Sequence, residues 1–315
     1  MVQTVLIGLV AGVAAALLFL APVSGSVIAF PLFVLTGLPL AIATFGWGAA
    51  AGAIAAVAAA AAIFSVYPGS FLTAAMFLCL FGIPVTWLAY FSGGLHPSPV
   101  IAGLVHRNLK NVLVQLAATV VVALVAAAIV SGYDPAALVG EATTAMVDVL
   151  NSLGQSPAAT ADQVQPFVQI YVNLLPFVVA GVLTAIFTLD LWIGALVARG
   201  SGRMLDKRAP LWSTELPGGL LPVFVIAVVF AFFPGAIGAT AKVIAGAVFC
   251  SFVLVGLAIL HAMTRGSSSR LPILVLCYIL LIFSGLPAIL LAVAGATDPF
   301  LRLRQRRSLD QNPSH

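Results

Sequence analysis

Long apolar runs alternate with short polar stretches along this chain, and the runs have the length of membrane-crossing helices. Backbone amides and carbonyls in lipid have no water to bond, so each run is predicted to be helical. About 20 apolar residues make one crossing. The first run is Val5 to Ala21, closed by Pro22 and the turn Ser24-Gly25-Ser26. The second, Val27 to Thr44, is interrupted by Pro31 and Pro39. The third, Gly46 to Val66, is rich in alanine, and the fourth, Phe71 to Phe91, contains Pro84. After a polar stretch from Ser92 to Asn111, with His96, His106, Arg107 and Lys110, a fifth run covers Val112 to Val130. The sixth is Tyr171 to Ala198, the seventh Gly218 to Phe233, the eighth Thr240 to Met263, and the last Leu271 to Ala296.

This pattern predicts an all-α polytopic transmembrane bundle of about nine membrane helices, divided as 1–131, an extracytoplasmic insertion at 132–170, 171–297 and a basic tail at 298–315. The insertion has helical logic of its own. Asp134-Pro135 is a helix start, a capping acid followed by proline at the first helical position. Leu138, Ala142, Ala145, Val149 and Leu153 then recur at three- and four-residue steps, an amphipathic pattern. Thr160 to Gln163 fits a capping box for a second short helix. The pair reads as a helical hairpin lying on the outer surface, or as a lid over a cavity entrance.

Composition turns the pattern into a class. Of 315 residues, 62% are hydrophobic and 7% are charged, against roughly 25% charged in a soluble domain. So much apolar surface requires a lipid bilayer as its solvent. The net charge of +4 comes from basic residues between the runs rather than along one face, which excludes a nucleic-acid footprint. Met1-Val2-Gln3-Thr4 lacks the basic residues of a secretory signal, so the first run is expected to be a retained span.

Lysines and arginines set the expected orientation. They cluster at Arg107 and Lys110, at Arg199, Arg203, Lys207 and Arg208, and at Arg265 and Arg270, whereas the insertion holds Asp134, Glu141, Asp148 and Asp162. Alternating crossings put the three basic clusters inside, the acidic insertion outside and the N-terminus in the cytoplasm, as for a multi-pass protein of a bacterial cytoplasmic membrane. Arg302, Arg304, Arg306 and Arg307 break the pattern, because a ninth full crossing would place them outside. Either the last run is a re-entrant hairpin folded at Ser284-Gly285-Leu286-Pro287, or an earlier span, the proline-broken second above all, is not a full crossing.

Chemistry inside the spans is sparse. No zinc-protease helix motif, paired-cysteine metal site or phosphate-binding glycine loop is present, and no span carries the base and orienting group that a nucleophile needs. An enzyme is not expected, nor a cofactor. Cys79, Cys250 and Cys277 lie in apolar runs as packing residues. Asp190, in Thr184-Ala-Ile-Phe-Thr-Leu-Asp190-Leu-Trp192, stands nine residues before the basic loop, roughly 13 Å up its helix. A carboxylate there is costly unless it faces the bundle or water. It is therefore either an internal polar contact in a solute or proton path, or a structural group. The structural options are a cap on a neighbouring helix end or a partner to His261 or Arg265. Lys242 is expected to snorkel to the outer interface and His261 to sit at the inner one, while Asp298 and Arg302 are spaced to pair on one helix.

Small residues mark close helix contacts, where van der Waals packing replaces the missing hydrophobic drive. Gly8 and Gly12, Gly48 and Gly52, and the run Ala49 to Ala62 predict a tight N-terminal bundle.

Three stretches in the second half carry a resemblance. A basic loop ends in Ala209-Pro210-Leu211-Trp212 and Leu216-Pro217, a helix ends in Gly256-Leu257-Ala258-Ile259-Leu260-His261, and the last run ends in Gly295-Ala296-Thr297-Asp298-Pro299-Phe300-Leu301-Arg302. In these the chain resembles the bacterial YybS-like membrane proteins, a domain of unknown function, which makes Pro210, Trp212, Pro217, His261, Asp298 and Arg302 family-motif candidates. That family is similar in hydropathy to the substrate-binding membrane components of energy-coupling-factor vitamin transporters. The likeness implies solute capture in a helical bundle, with membrane or ATPase partner subunits supplying the power. Two functions are carried forward. One is a transport-related protein that binds or moves a small solute or lipid, its identity unknown, and the other is a non-transporting membrane scaffold.

Overall fold

A computed structural model of the chain describes residues 1–66, 71–92, 112–154, 160–203 and 216–301. All regular structure among the described residues is helical. The N-terminal half comprises α1 (Val2–Leu20), α2 (Ala29–Val34), α3 (Leu38–Trp47), α4 (Ala49–Val66), α5 (Phe71–Phe77), α6 (Ile83–Ser92) and α7 (Val112–Ser131). The remainder is α8 (Pro135–Ser152), α9 (Ala161–Gly200), α10 (Leu220–Phe230), α11 (Gly235–Met263), α12 (Arg270–Phe283) and α13 (Leu286–Leu301).

Seven described segments are long and apolar enough to cross a membrane, or eight if the bent pair α12–α13 forms one span. This is close to the nine expected, and the shortfall has a local cause. The seventh apolar run yields only the 11 residues of α10, about 16 Å of helix. Gly219 starts it, and the turn before Pro234 and Gly235 (φ +71°) ends it. Apolar residues beyond those limits count toward hydropathy without lengthening the helix. The last run breaks at Ser284-Gly285, where Gly285 takes φ +63°, and α12 and α13 meet at a bend of 114°. The break falls at the Ser284–Pro287 turn named from sequence.

Two prolines also break the second span. Pro31 and Pro39 each lie in the first turn of a half-helix, α2 or α3, where a missing N–H is harmless. Between the halves, Leu35 N–H donates to Leu32 O (3.1 Å), Thr36 N–H to Phe33 O (3.0 Å) and the Thr36 hydroxyl to the same carbonyl (2.6 Å). In the fourth span, Pro84 deprives the Leu80 carbonyl of its usual donor four residues on, and a π-helical turn over Leu78–Gly82 joins α5 to α6 there.

Small residues bring the spans together. A Cβ on Gly8 would stand 2.7 Å from Ile54, and one on Gly12 would stand 2.5 Å from Ala55 O, so α1 and α4 run parallel in backbone contact. Gly52 faces Thr44 and Thr86. Gly48 behaves otherwise: with φ +86° and open space at its Cβ position, it forms the corner between α3 and α4 rather than a packing face. In the C-terminal half, Gly246 meets the Phe177 backbone of α9, while Gly256 and Gly295 join α11 to α13 at Leu291 and Phe252. Those pairings make α13 antiparallel to α11.

The insertion follows its sequence signals and exceeds them. Asp134 caps α8 by accepting from Ala136 N–H at 2.9 Å, with Pro135 at the first position. Thr160 and Gln163 form the capping box. The second helix is not short, however. It continues into the sixth span as the 40-residue α9, about 60 Å long and twice the roughly 30 Å hydrocarbon core. Pro166 and Pro176 lie within it without ending it. α8 packs on the N-terminal part of α9 through Val139, Val164, Val168 and Val172.

Candidate functional site

The polar centre of the bundle is built by α3 and α9, which run parallel and touch at three levels. Asp190 Oδ2 accepts a hydrogen bond from Gly37 N–H at 3.1 Å. One turn on, a Cβ on Gly194 would lie 2.9 Å from Ala41 Cβ. At the far end, the Arg203 guanidinium stands 4.3 Å from the Trp47 ring centroid. Small residues at the middle level bring the helices close enough for the carboxylate to reach the backbone of its neighbour.

Asp190 is fully buried. Its contact is a helix cap supplied by another span: Gly37 is the N-cap residue of α3, whose free N–H groups and positive dipole end favour an anion. Gly37 has φ −77°, so its need for glycine is spatial. A Cβ there would meet Asp190 Oδ2 at 2.5 Å and Val85 Cγ2 at 2.9 Å. The second carboxylate oxygen, Oδ1, is buried with no hydrogen-bond partner among the described residues.

Next to this layer, toward α2, aromatic rings fill the interior. Phe33, Phe81 and Phe187 precede Gly37, Val85 and Asp190 by three or four positions, and their centroids lie 5.5 Å (Phe33–Phe81) and 5.9 Å (Phe81–Phe187) apart. Phe19 and Phe77 complete the cluster. Toward Trp47 a few polar groups lie among apolar packing residues such as Leu40, Ala41 and Phe45. The Thr44 hydroxyl donates to Leu40 O at 2.7 Å, and Thr86 Oγ1 and Trp47 Nε1 are buried without hydrogen-bond partners among the described residues.

Of the two structural options for Asp190, the helix-cap contact is present, while His261 and Arg265 do not hydrogen-bond its carboxylate. His261 Nδ1 instead donates to Leu257 O at 2.9 Å, and its ring lies 6.1 Å from that of Tyr278. Asp298 is buried on α13 and Pro217 is exposed just before α10, so the motif candidates do not gather around Asp190. Pro210, Trp212, Arg302 and the rest of the basic tail lie outside the described residues, and with them the Asp298–Arg302 pairing. Lys242 is half-buried on α11. Sequence reasoning missed Gly37, Thr86 and Trp47. The signal for Gly37 was the proline-broken run, whereas the other two were indistinguishable from ordinary span residues.

Two open apolar grooves lie away from this site. One, of about 530 Å³, runs between α10 and the start of α11 and is lined by Val223, Ile226, Phe230, Ile237 and Ile244. The other, of about 300 Å³, lies between α4 and α5, beside Phe64 and Phe71.

The chain belongs to the family described as Predicted membrane protein (DUF2232), which matches residues 13–299. No curated protein and no solved structure matches it.

Proposed function

We propose that this multi-pass membrane protein is transport-related and that it binds or moves a small solute or lipid within its helical bundle, with Asp190 as the polar centre. One observation carries the reading. A membrane span is broken in its interior, and a fully buried carboxylate from another span caps the start of its second half-helix, keeping one oxygen unspent. Broken helices with charged groups at their ends are where secondary transporters hold solutes and ions, and an intramembrane acid is costly unless it serves the interior. The likeness to YybS-like proteins, and through them to energy-coupling-factor substrate-binding components, agrees with this and points to separate membrane or ATPase subunits as partners. The distribution of basic residues favours a bacterial cytoplasmic membrane with the N-terminus inside. The parallel course of α3 and α9 fits the three crossings that separate the second span from the sixth, on either orientation.

The scaffold reading has its own support in α12, an apolar helix none of whose residues is buried, which offers most of its surface to lipid or another membrane protein. Mass spectrometry of the full chain, purified in native lipid, separates the two. A stoichiometric small molecule that stays bound to the wild type and is lost in Asp190→Asn, with insertion unchanged, is the expected result. Equal retention by both forms, or neither a small molecule nor an ATPase module retained, would overturn the transport reading.

A further inference from the structure

Asp190 lies between two unlike environments. On the α2 side, three spans contribute Phe33, Phe81 and Phe187 at a single level, with Phe19 and Phe77 packed behind them. Phe77, Phe81 and Phe187 are at most 1% exposed. Close-packed rings leave no polar atom for water to bond and so form a seal. On the Trp47 side the same three spans change chemistry. Thr44 and Thr86 both stand against Gly52; Thr44 lies two helical turns, about 10 Å, along α3 from Gly37, and Thr86 directly follows Val85. Trp47 and the exposed Arg203 follow one turn later. Asp190 Oδ1, Thr86 Oγ1 and Trp47 Nε1 are three buried polar atoms without hydrogen-bond partners among the described residues, and all lie at the Asp190 level or on this side of it. Buried polar atoms are normally paired, with protein or with water, and neighbouring unpaired ones are where internal water is found.

We propose that Asp190 is a proton-exchange site reached from one membrane face only, the face carrying Trp47 and Arg203, along Thr44 and Thr86, and sealed from the opposite face by Phe33, Phe81 and Phe187. The proposal rests on the transport reading of Asp190 and names the ion that the site takes. A proton passes from water on the Arg203 face to Oδ1, converting the carboxylate to the acid, and leaves by the same path. Oδ2 accepts from Gly37 N–H in both forms, so the cap on α3 survives the exchange. Few groups compete for the proton. α3 and α7 have no titratable side chain, α6 has only Tyr90, and α11 has Lys242, Cys250 and His261.

The test uses the full chain with Cys79, Cys250 and Cys277 replaced by serine, in sealed vesicles of either orientation. A membrane-impermeant cationic thiosulfonate is applied to Thr86→Cys and Phe187→Cys. Thr86→Cys is expected to be modified from the Arg203 face alone, and Phe187→Cys from neither. Thr44→Cys, at the same level, replaces Thr86→Cys if that variant fails to insert. In the second arm, infrared spectra of the protein in lipid are expected to show a carboxyl band that follows bulk pH and is lost in Asp190→Asn. Protection of the threonine positions from the Arg203 face, modification of Phe187→Cys from the other face, or an unchanged carboxyl band in Asp190→Asn would each overturn the proposal. None of these readings needs a solute. Solute retention can therefore fail with the labelling pattern intact, which would remove the transport reading and leave the access path.

Discussion

The carboxylate of Asp190 accepts the backbone N–H of Gly37 at 3.1 Å, joining residues 153 positions apart in the interior of the bundle. The bond ties the sixth span to the break in the second, so the two half-helices of that span have different anchors. α3 is held to α9 at Gly37, Ala41 and Trp47. α2 is held through Phe33 in the aromatic cluster.

Removing the acceptor should cost more than changing its charge. Asp190→Ala leaves the buried Gly37 N–H unpaired, a loss of about 1–3 kcal/mol, whereas Asp190→Asn keeps a carbonyl oxygen in place. Thermal unfolding in detergent should therefore rank the wild type above Asp190→Asn and Asp190→Ala lowest. Equal midpoints for the two variants would show that the cap contributes nothing.

Gly37→Ala adds a methyl group 2.5 Å from Asp190 Oδ2. Overpacking of this kind costs about 1–3 kcal/mol. The same unfolding measurement checks it, and pairing it with Asp190→Ala should recover part of the loss, because the second change removes the atom that clashes.

At the C-terminal end, Gly256→Val and Gly295→Val should each part α11 from α13, since any Cβ there meets the Leu291 or Phe252 backbone. The expected outcome is a loss of at least about 1–3 kcal/mol, with a cysteine at position 292 on α13, buried in the wild type, becoming reactive to a lipid-soluble maleimide. An unreactive cysteine would mean that the helices tolerate the separation.

Asp134→Ala removes the cap of α8 and should cost about 1 kcal/mol. Because α8 packs chiefly on α9 outside the apolar bundle, the loss is expected to be local. Hydrogen exchange should speed up across residues 135–152 and remain unchanged in α4 and α11.

The Trp47–Arg203 contact lies where Arg203 is exposed, so its cation–π attraction is expected at about 0.5–1 kcal/mol. A double-mutant cycle of Trp47→Leu and Arg203→Gln measures it, and a coupling indistinguishable from zero would remove this third anchor.

Much of this architecture can be read along the chain because lipid makes the local rules strict. A run such as Val112 to Val130 has to be a helix, Asp134-Pro135 has to start one, and a basic loop differs from an acidic one without any tertiary contact. Pro31 and Pro39 likewise announce a broken span, since a missing N–H is a property of one residue. Hydropathy, by contrast, counts residues that a turn removes from the helix, as around α10, and it does not see that the insertion helix and the sixth span are one rod. The partner of Asp190 was beyond any local rule. Its bond to Gly37 depends on Ala41 and Gly194 letting two helices approach, and on three phenylalanines from separate spans meeting at one level. Composition made this chain a membrane bundle through the cost of placing polar backbone in lipid. The position of Asp190 within that bundle was decided only when distant small residues packed.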